Sequence, residues 1–374
     1  MNILDKFHSL VNSPHQFAQD WKARTGGKVL GYLCTNLPEE LLYAAGVLPV
    51  RLLGTNEPEN VTRPYIFQAA FCAFSRDCFA QALLGRYDYV DGVMYGLCCM
   101  HARQVYQGWE KYRPISYSYE LRLPTDLRSR GAKKYIMREL EDCKHSLEKW
   151  TGQPISWEAL DRAIDLYNTD RRLMLGIYDL MKANDPPFTG AEVAEMALAG
   201  MLIDKGTHNH LLEEVLKGLS QRKNARGDGI RLMLLGSVNN DIEFIKLIES
   251  LGTRVVVDDY CTGRRYYQGE VIPEEDRLAA LANRLIEKPP CPLKDVPERR
   301  RPQYLSKLID DYRVKGAIYT MQRYCDSHGL DYPVIESLMK GKGIPMLKLE
   351  LDYSVPIGQI QTRIEAFLEM VKTL

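Results

Sequence analysis

Cysteine is the residue type whose placement in this sequence most clearly suggests chemistry. The chain has 374 residues and nine cysteines, and several of them directly follow apolar segments typical of β-strands. These are Cys34 after KVLGYL, Cys98 and Cys99 after YVDGVMYG, Cys261 after RVVVDDY, and Cys325 after GAIYTMQRY. Because parallel α/β proteins bind their ligands at the carboxyl ends of strands, this recurrence indicates a shared site.

Thiolates gathered in this way favour zinc, Cu(I) or an iron–sulfur cluster. The sequence has no CxxC motif, so a structural zinc ribbon or knuckle is not expected. Cys72 and Cys78 lie six residues apart on a predicted helix, so at most one of them is expected to face the shared site. The alternative is that most of these cysteines are small core residues, since free cysteine is often buried.

The elements that would position these cysteines alternate between strand and helix in the first 150 residues. PEELLYAAG and FQAAFCAFSRDCFAQALLGR have helical character, whereas LPVRLLG and PISYSYEL read as further strands. This alternation predicts an α/β domain with a mainly parallel sheet. The N-terminal stretch, about residues 1–22, is predicted to form one amphipathic helix.

Residues 151–225 are predicted to be a helical bridging segment, and the α/β alternation resumes over 226–374. GIRLMLLG, RVVVDDYC and GIPMLKLELD read as strands, VKGAIYTMQRYC as a strand that runs into a loop, and QIQTRIEAFLEMVKTL as a terminal amphipathic helix. The Pro-rich stretch 289–302 is predicted to be a loop. The fold class expected is α/β, with two Rossmann-like domains that have parallel sheets and a cleft between them.

Composition and charge exclude several classes of function. Lysine plus arginine equals aspartate plus glutamate, 49 of each, so a basic excess that would indicate a nucleic-acid partner is absent. No apolar run is long enough to span a membrane, and no signal peptide is visible, which predicts a cytoplasmic protein. The odd number of cysteines argues against a disulfide scaffold, and no Walker-type loop is present.

Several blocks of the sequence resemble the benzoyl-CoA reductase and 2-hydroxyacyl-CoA dehydratase family. The opening GYLCTNLPEELLYAAGVLPVRLLG is followed, in order, by FCAFSRDC, DGVMYGLCC, VVVDDYCTGRRYY, QRYCDSHGLDYP, GIPMLKLELDY and GQIQTRIEAFLEM. The resemblance therefore covers nearly the whole chain. It implies two Rossmann-like domains with a [4Fe–4S] cluster in the cleft between them.

By the same resemblance, the cluster ligands are expected to be Cys72, Cys99 and Cys325. Cys98 is the alternative to Cys99, because the Asp that often follows the ligand in this family is replaced here by Met. Cys34 is a possible additional ligand or a substrate-side group. Cluster or substrate surroundings are expected to include Asn36, Glu40, Arg76, Asp259 and Arg265.

Other singled-out residues have structural interpretations. Cys78 and Cys143 are predicted to be structural, and a role as metal ligands is not expected for His208 and His210. A salt-bridge network is predicted for the DDYCTGRR segment, and a solvated face for the arginine run 299–301. Cys261 and Cys291 are also predicted to be structural.

The resemblance implies a [4Fe–4S] subunit of an ATP-dependent benzoyl-CoA reductase that takes part in the low-potential, one-electron reduction of the aromatic ring of benzoyl-CoA to a cyclohexadiene-carbonyl-CoA. A subunit of a 2-hydroxyacyl-CoA dehydratase and a non-catalytic electron-relay or scaffold subunit are the alternatives. The expected partners are a homologous cluster-bearing subunit, ATP-hydrolysing electron-activating subunits, an aryl- or acyl-CoA thioester, and ferredoxin as an indirect donor. No nucleotide is expected to bind this chain, and neither nucleic acid nor a membrane is expected as a partner.

Overall fold

The structure is a computed structural model that describes residues 2–55, 60–66, 71–219, 229–352 and 357–373. Within these residues the chain forms two four-stranded sheets, and every strand pair is parallel. The predicted α/β class with parallel sheets in both halves is therefore confirmed. The first four residues of the predicted helix 67–86 lie outside the described residues.

The first half of the chain builds the first sheet and the helices that flank it. The predicted N-terminal helix is two helices, because the chain turns between Asn12 and Gln16. The elements in chain order are α1 (Ile3–Asn12), α2 (Gln16–Thr25), β1 (Lys28–Tyr32), α3 (Glu39–Ala44), β2 (Val47–Arg51), α4 (Ala73–Leu83), β3 (Gly92–Gly96), α5 (Met100–Tyr112) and β4 (Tyr117–Leu121).

Four helices follow, and the second sheet is built after them. These helices are α6 (Ala132–Thr151), α7 (Trp157–Leu180), α8 (Gly190–Ala199) and α9 (Lys205–Lys217). The later elements are β5 (Ile230–Gly236), α10 (Ile242–Ser250), β6 (Thr253–Asp259), α11 (Arg264–Tyr267), α12 (Arg277–Glu287), α13 (Arg301–Asp311), β7 (Gly316–Gln322), α14 (Asp326–Gly341), β8 (Met346–Leu351) and α15 (Ile357–Lys372).

The two sheets have the same topology. The first has the order β2-β1-β3-β4 and the second the order β6-β5-β7-β8, so each runs 2-1-3-4 in its own strand numbering. Successive strands are added first on one side of the starting strand and then on the other. This change of side lies between β1 and β3 in the first sheet and between β5 and β7 in the second. Ligands of doubly wound sheets bind outside the carboxyl ends of the strands at such a switch point. The fold therefore provides two switch points.

Long helices connect the two sheets. α7 contacts α3 beside the first sheet and α11 beside the second, and α6 packs against α12. Buried apolar side chains from both halves belong to one continuous core that includes Val29, Val93, Leu234 and Ile318. Because the core is continuous, the carboxyl edges of the sheets are held in a fixed relation.

All eight strands predicted from the sequence are present, but three long helices were not predicted. α5 and α14 begin directly at predicted strand ends, and α13 begins where the Pro-rich loop was expected to continue. α14 also contains Pro333, a residue that usually ends a helix. Among the described residues, no helix combines the length and apolar character needed to cross a membrane.

Candidate metal centre

Seven of the nine cysteines line one cleft between the two halves of the chain. The cleft has a volume of about 100 Å³, and its thiols are those of Cys34, Cys72, Cys98, Cys99, Cys261, Cys291 and Cys325. The loops after β1 and β3 supply three of them, and the loop after β6 supplies Cys261. All nine cysteines are free thiols. The cysteines that follow strands of both sheets therefore line one shared cleft.

The three cysteines that match the family motifs share one structural role, because each is the N-cap of a helix. Cys72 caps α4, Cys99 caps α5 and Cys325 caps α14. The Cys99 sulfur accepts a hydrogen bond from the backbone N–H of Ala102 at 3.4 Å. Helix N-termini stabilise thiolates, the form of cysteine that binds metals. These three residues are hereafter called the motif thiols.

Cys72 and Cys325 contact each other although they come from different halves. Their side chains hydrogen bond, and this contact is the largest cause that lowers the pKa of Cys72 and raises that of Cys325. The backbone N–H of Cys72 also donates to His101 Nδ1 at 3.1 Å. Tyr324, directly before Cys325, has a φ of 63°, a strained value for a residue that is not glycine. The backbone is thus held in a specific shape where it delivers Cys325 to the cleft.

The other four cleft cysteines, Cys34, Cys98, Cys261 and Cys291, are hereafter called the second thiol group. Cys34 and Cys98 hydrogen bond through their side chains, which is the largest cause of the raised pKa of Cys34. Cys291 interacts electrostatically with Cys34 and Cys261. Cys98 also hydrogen bonds to Cys99, so the second thiol group adjoins the motif thiols.

Glycines at the two switch points let the loops of the cleft approach closely. Gly96 ends β3, and a Cβ atom there would lie 2.4 Å from the carbonyl oxygen of Asn36. Gly236 ends β5 with a φ of 123°, and a Cβ atom there would lie 1.9 Å from the carbonyl oxygen of Thr320. Any larger residue would displace backbone that carries the cleft-lining segments.

Three cations line the cleft, and no carboxylate does among the described residues. The cations are Arg51, Arg265 and Lys288. Lys288 Nζ donates to the carbonyl oxygen of Thr35 at 3.0 Å, and burial, assisted by Arg284, lowers the pKa of this amine to about 7. The cleft is therefore electropositive and suited to anionic groups such as thiolates.

Arg265 is held by a buried ion-pair network behind the cleft wall. Its Nη1 lies 3.4 Å from Asp259 Oδ2, and the same oxygen accepts from Arg301 Nη2 at 2.8 Å. Arg301 Nε also donates to Asp331 Oδ2 at 3.0 Å. The salt-bridge network predicted for this segment is present. The prediction of a solvated face at 299–301 is wrong for Arg301, whose side chain is 0% exposed.

The predicted surroundings of the site divide into two groups. Asn36 and Arg265 line the cleft, whereas Glu40, Arg76 and Asp259 are not among its described lining residues. Glu40 forms a buried ion pair with Arg171, and Arg76 Nη2 donates to Asp352 Oδ1 at 3.0 Å. The first pair joins α3 to α7, and the second joins the two halves near α4.

Cys78, Cys143 and His208, which were expected to be structural, are buried in the protein interior. Cys78 and Cys143 are fully buried away from the cleft, in separate hydrophobic clusters. His208 is also fully buried, with Nδ1 on Asp170 Oδ1 and Nε2 at 2.9 Å from the carbonyl oxygen of Met196. These contacts account for both ring nitrogens of His208. By contrast, Cys261 and Cys291, also expected to be structural, lie in the cleft.

The chemistry of the donor set fits an iron–sulfur cluster. Among the described residues, no three Cys, His, Asp or Glu side chains are arranged around a point where one ion would bind. Cys thiolates are the usual ligands of clusters, and seven thiols line the cleft. A thiol-rich, electropositive cleft without carboxylates meets that requirement.

Comparison with known proteins shows where this arrangement belongs. The family described as 2-hydroxyglutaryl-CoA dehydratase, D-component, matches residues 34–371. The chain belongs to this family. The match includes all seven cleft cysteines, from Cys34 to Cys325.

Curated relatives of this D-component family member match along nearly their whole length. The chain is 25% identical to the (R)-phenyllactyl-CoA dehydratase beta subunit of Clostridium sporogenes, covering 98% of each chain. It is 25% identical to a benzoyl-CoA reductase subunit of Thauera aromatica, covering 92% of this chain and 90% of the relative. It is 24% identical to the (R)-2-hydroxyglutaryl-CoA dehydratase beta subunit of Acidaminococcus fermentans, covering 98% of each. The relatives include both dehydratase and reductase subunits, at the same level of identity.

Several cleft residues of this D-component chain were not predicted from its sequence. Arg51 ends β2, Lys288 follows α12, and His328 lies in the first turn of α14. Burial, followed by the charges of Arg265 and Arg301, lowers the pKa of His328. Arg51 lies inside the predicted strand LPVRLLG, whereas the strand of the structure already ends at Arg51, so the strand-end rule did not point to it.

Proposed function

We propose that this chain is an iron–sulfur subunit of an enzyme complex that acts on coenzyme A thioesters by transferring single electrons. The observation that supports this proposal is the convergence of seven thiols, from both halves of the chain, on one electropositive cleft. Cys72, Cys99 and Cys325 are proposed to hold a [4Fe–4S] cluster. When bound, such a cluster would supply electrons at low potential.

The chain's own residues would then set the properties of that cluster. Leu33, Phe74, Val238 and Pro289 provide apolar walls that restrict water, and few hydrogen bonds to sulfur keep a cluster potential low. The positive charge of Arg265 works in the opposite direction, because it stabilises the reduced, more negative state. The sequence also lacks a Walker-type loop. An ATP-hydrolysing partner and a ferredoxin would therefore deliver the electrons, and a homologous cluster-bearing subunit would complete the enzyme.

Benzoyl-CoA is the first candidate substrate, reduced in its aromatic ring. This choice is supported by the CTNLPEE and DDYCTGRRYY blocks and by the relative named as a benzoyl-CoA reductase subunit. A 2-hydroxyacyl-CoA that loses water is the second candidate. It is supported by the family description and by relatives named as dehydratase beta subunits.

Anaerobic purification tests the cluster. The protein is expected to be brown and to contain at least about four irons per chain, as one [4Fe–4S] cluster requires. Cys72→Ser and Cys325→Ser should lower the iron content, whereas the buried-core control Cys143→Ser should not. Cys98→Ser is compared with Cys99→Ser by the spectroscopic signals of the cluster that Cys72 and Cys325 hold, and the variant that loses those signals identifies its ligand. Iron-free protein that supports full activity of the complex would refute the proposal.

Reconstitution tests the substrate. The chain is combined anaerobically with its partner subunit, the ATPase component and ATP, and benzoyl-CoA is compared with a 2-hydroxyacyl-CoA. Loss of the aromatic absorbance of benzoyl-CoA supports the first candidate, and dehydration with benzoyl-CoA unchanged supports the second. Turnover by the isolated chain with a chemical reductant and no ATP would contradict the need for partners.

A further inference from the structure

Three motif thiols are enough for the proposed cluster, yet four more thiols line the same cleft. The second thiol group, Cys34, Cys98, Cys261 and Cys291, comes from four separate loops, two in each half of the chain. A protein that needed only small core side chains at these positions would not have to bring thiols together. The cleft therefore contains a second set of soft ligands that the proposed [4Fe–4S] cluster leaves unused.

The four thiols of this group are connected to one another through Cys291. Cys34 and Cys98 share a side-chain hydrogen bond, and Cys291 interacts electrostatically with both of them. Cys291 also interacts with Cys261 in its own half of the chain. The group thus spans the interface between the halves, as the motif thiols do through the contact of Cys72 with Cys325.

Unpartnered donors face the same space. Arg51 is 1% exposed and lines the cleft, yet its Nε and Nη1 atoms have no hydrogen-bond partner. Asn36 is 6% exposed, lines the cleft, and has an Nδ2 atom without a partner. Buried N–H groups are nearly always hydrogen bonded, so such donors indicate that an acceptor occupies the cleft. Arg51 interacts electrostatically with Cys34 and Cys261, which places its charge beside the second thiol group.

The charge balance of the cleft agrees with an anionic occupant. Arg51, Arg265 and Lys288 line it, and no described lining residue is a carboxylate. Arg265 is paired with Asp259 behind the cleft wall, but Arg51 has no carboxylate partner among the described ion pairs, and burying a charge without a partner is strongly unfavourable. Thiolates that hold a metal–sulfur unit would supply the missing negative charge and accept hydrogen bonds from Arg51 and Asn36.

We infer that the second thiol group binds a second iron–sulfur unit, so that the cleft holds about twice the iron of a single [4Fe–4S] cluster. This inference rests on the proposed function and deepens it. An iron–sulfur unit is favoured over zinc because the adjoining motif thiols are proposed to hold one, and thiolates are the usual ligands of such units. Cys261 and Cys291 are the diagnostic residues, since neither belongs to the motif thiols.

The test is the iron and acid-labile sulfide content of the anaerobically reconstituted full-length protein, together with its Mössbauer spectrum. The wild-type protein is expected to contain about eight irons per chain, the content of two four-iron units. The double variant Cys261→Ser/Cys291→Ser is expected to retain about half of this iron, with the signals of one four-iron unit preserved. The matched control, Cys78→Ser/Cys143→Ser, replaces two buried thiols outside the cleft and should keep the wild-type content.

Each other outcome overturns a defined part of the reasoning. About four irons in the wild-type protein, unchanged in the Cys261/Cys291 variant, would overturn the second site and leave the proposed function intact. One zinc per chain that is lost in the same variant would overturn its iron–sulfur identity. Protein with no iron would refute the proposed function as well. The wild-type measurement needs no substitution, so it decides the question even if a variant fails to fold.

A second variant tests the link to Arg51. Removing this positive charge by Arg51→Met should shift the reduction midpoint of the bound iron to a more negative potential, because the reduced state loses a compensating cation. The readout is a spectroscopic redox titration and does not depend on activity. An unchanged midpoint in a fully iron-loaded Arg51→Met protein would show that Arg51 does not face the bound unit.

Discussion

Replacement of Arg301 by methionine is expected to destabilise the protein severely. The Arg301 side chain is 0% exposed and bridges Asp259 on β6 and Asp331 on α14, at 2.8 Å and 3.0 Å. Its Nη1 also donates to the carbonyl oxygen of Pro290 at 3.3 Å. Asp259 and Asp331 are 0% and 1% exposed, and the Oδ1 atom of each already lacks a hydrogen-bond partner. Arg301 is thus the main compensating charge for two buried carboxylates.

The expected loss follows from what methionine leaves behind. Breaking a buried ion pair by removing one partner costs about 3–5 kcal/mol, because the remaining charge stays buried without compensation. Arg265 remains near Asp259, but at 3.4 Å and through a single contact, and it does not reach Asp331 within the described ion pairs. We therefore expect the free energy of unfolding of Arg301→Met to fall by about 3–5 kcal/mol.

The measurement is denaturant-induced unfolding of metal-free protein, followed by circular dichroism under anaerobic conditions. Arg299→Met is the matched control, since Arg299 is partly exposed and lies 4.0 Å from Asp331, and it should cost no more than about 1 kcal/mol. A loss below about 1 kcal/mol for Arg301→Met itself would refute the reasoning, because it would show that the two carboxylates do not depend on this guanidinium.

Two other substitutions test how the chain positions the cleft. Gly96→Ala should destabilise the protein by about 1–3 kcal/mol and reduce iron loading, because its Cβ atom would lie 2.4 Å from the carbonyl oxygen of Asn36. The control is Gly176→Ala, in a helix interior where an added Cβ atom meets no other atom, and it should raise the free energy of unfolding by about 0.5–1 kcal/mol. Equal effects of the two substitutions would contradict the close approach at Gly96. Arg171→Met should lower the free energy of unfolding by about 3–5 kcal/mol, because Glu40, 1% exposed, would stay buried without its cation. Wild-type stability of this variant would show that the ion pair does not stabilise the fold.

Hydrophobic patterning was sufficient to predict the strands. Segments such as RLMLLG and RVVVDD are apolar runs between turn signals, and buried parallel strands have this pattern. The same rule placed Cys34, Cys98, Cys99, Cys261 and Cys325 at the carboxyl ends of strands. Their convergence in one cleft then followed from the geometry of parallel sheets.

The helices that the motif thiols cap were less predictable. α14 contains Gly329 and Pro333, both of which usually indicate a break, so local propensity gave no helix after Cys325. Cys72 was expected within a helix but is its N-cap, a position for which Ser, Thr, Asp and Asn are the usual indicators.

Cations were the harder part of the site to predict. Arg51, Lys288 and Arg301 are buried, and such residues are almost always exposed unless they are paired. Their partners lie far away in the sequence, as when Lys288 donates to the carbonyl oxygen of Thr35. A single sequence holds no local signal for such long-range pairing, so a solvated arginine run was the natural interpretation of 299–301.

The shared strand order of the two halves has a consequence for how the protein is made. During synthesis, Cys34, Cys72, Cys98 and Cys99 are translated long before Cys261, Cys291 and Cys325. The facing wall of the cleft exists only after β7 and the start of α14 leave the ribosome. The first-half thiols therefore lack their facing wall during most of synthesis, and the cleft can be completed only after almost the whole chain has emerged.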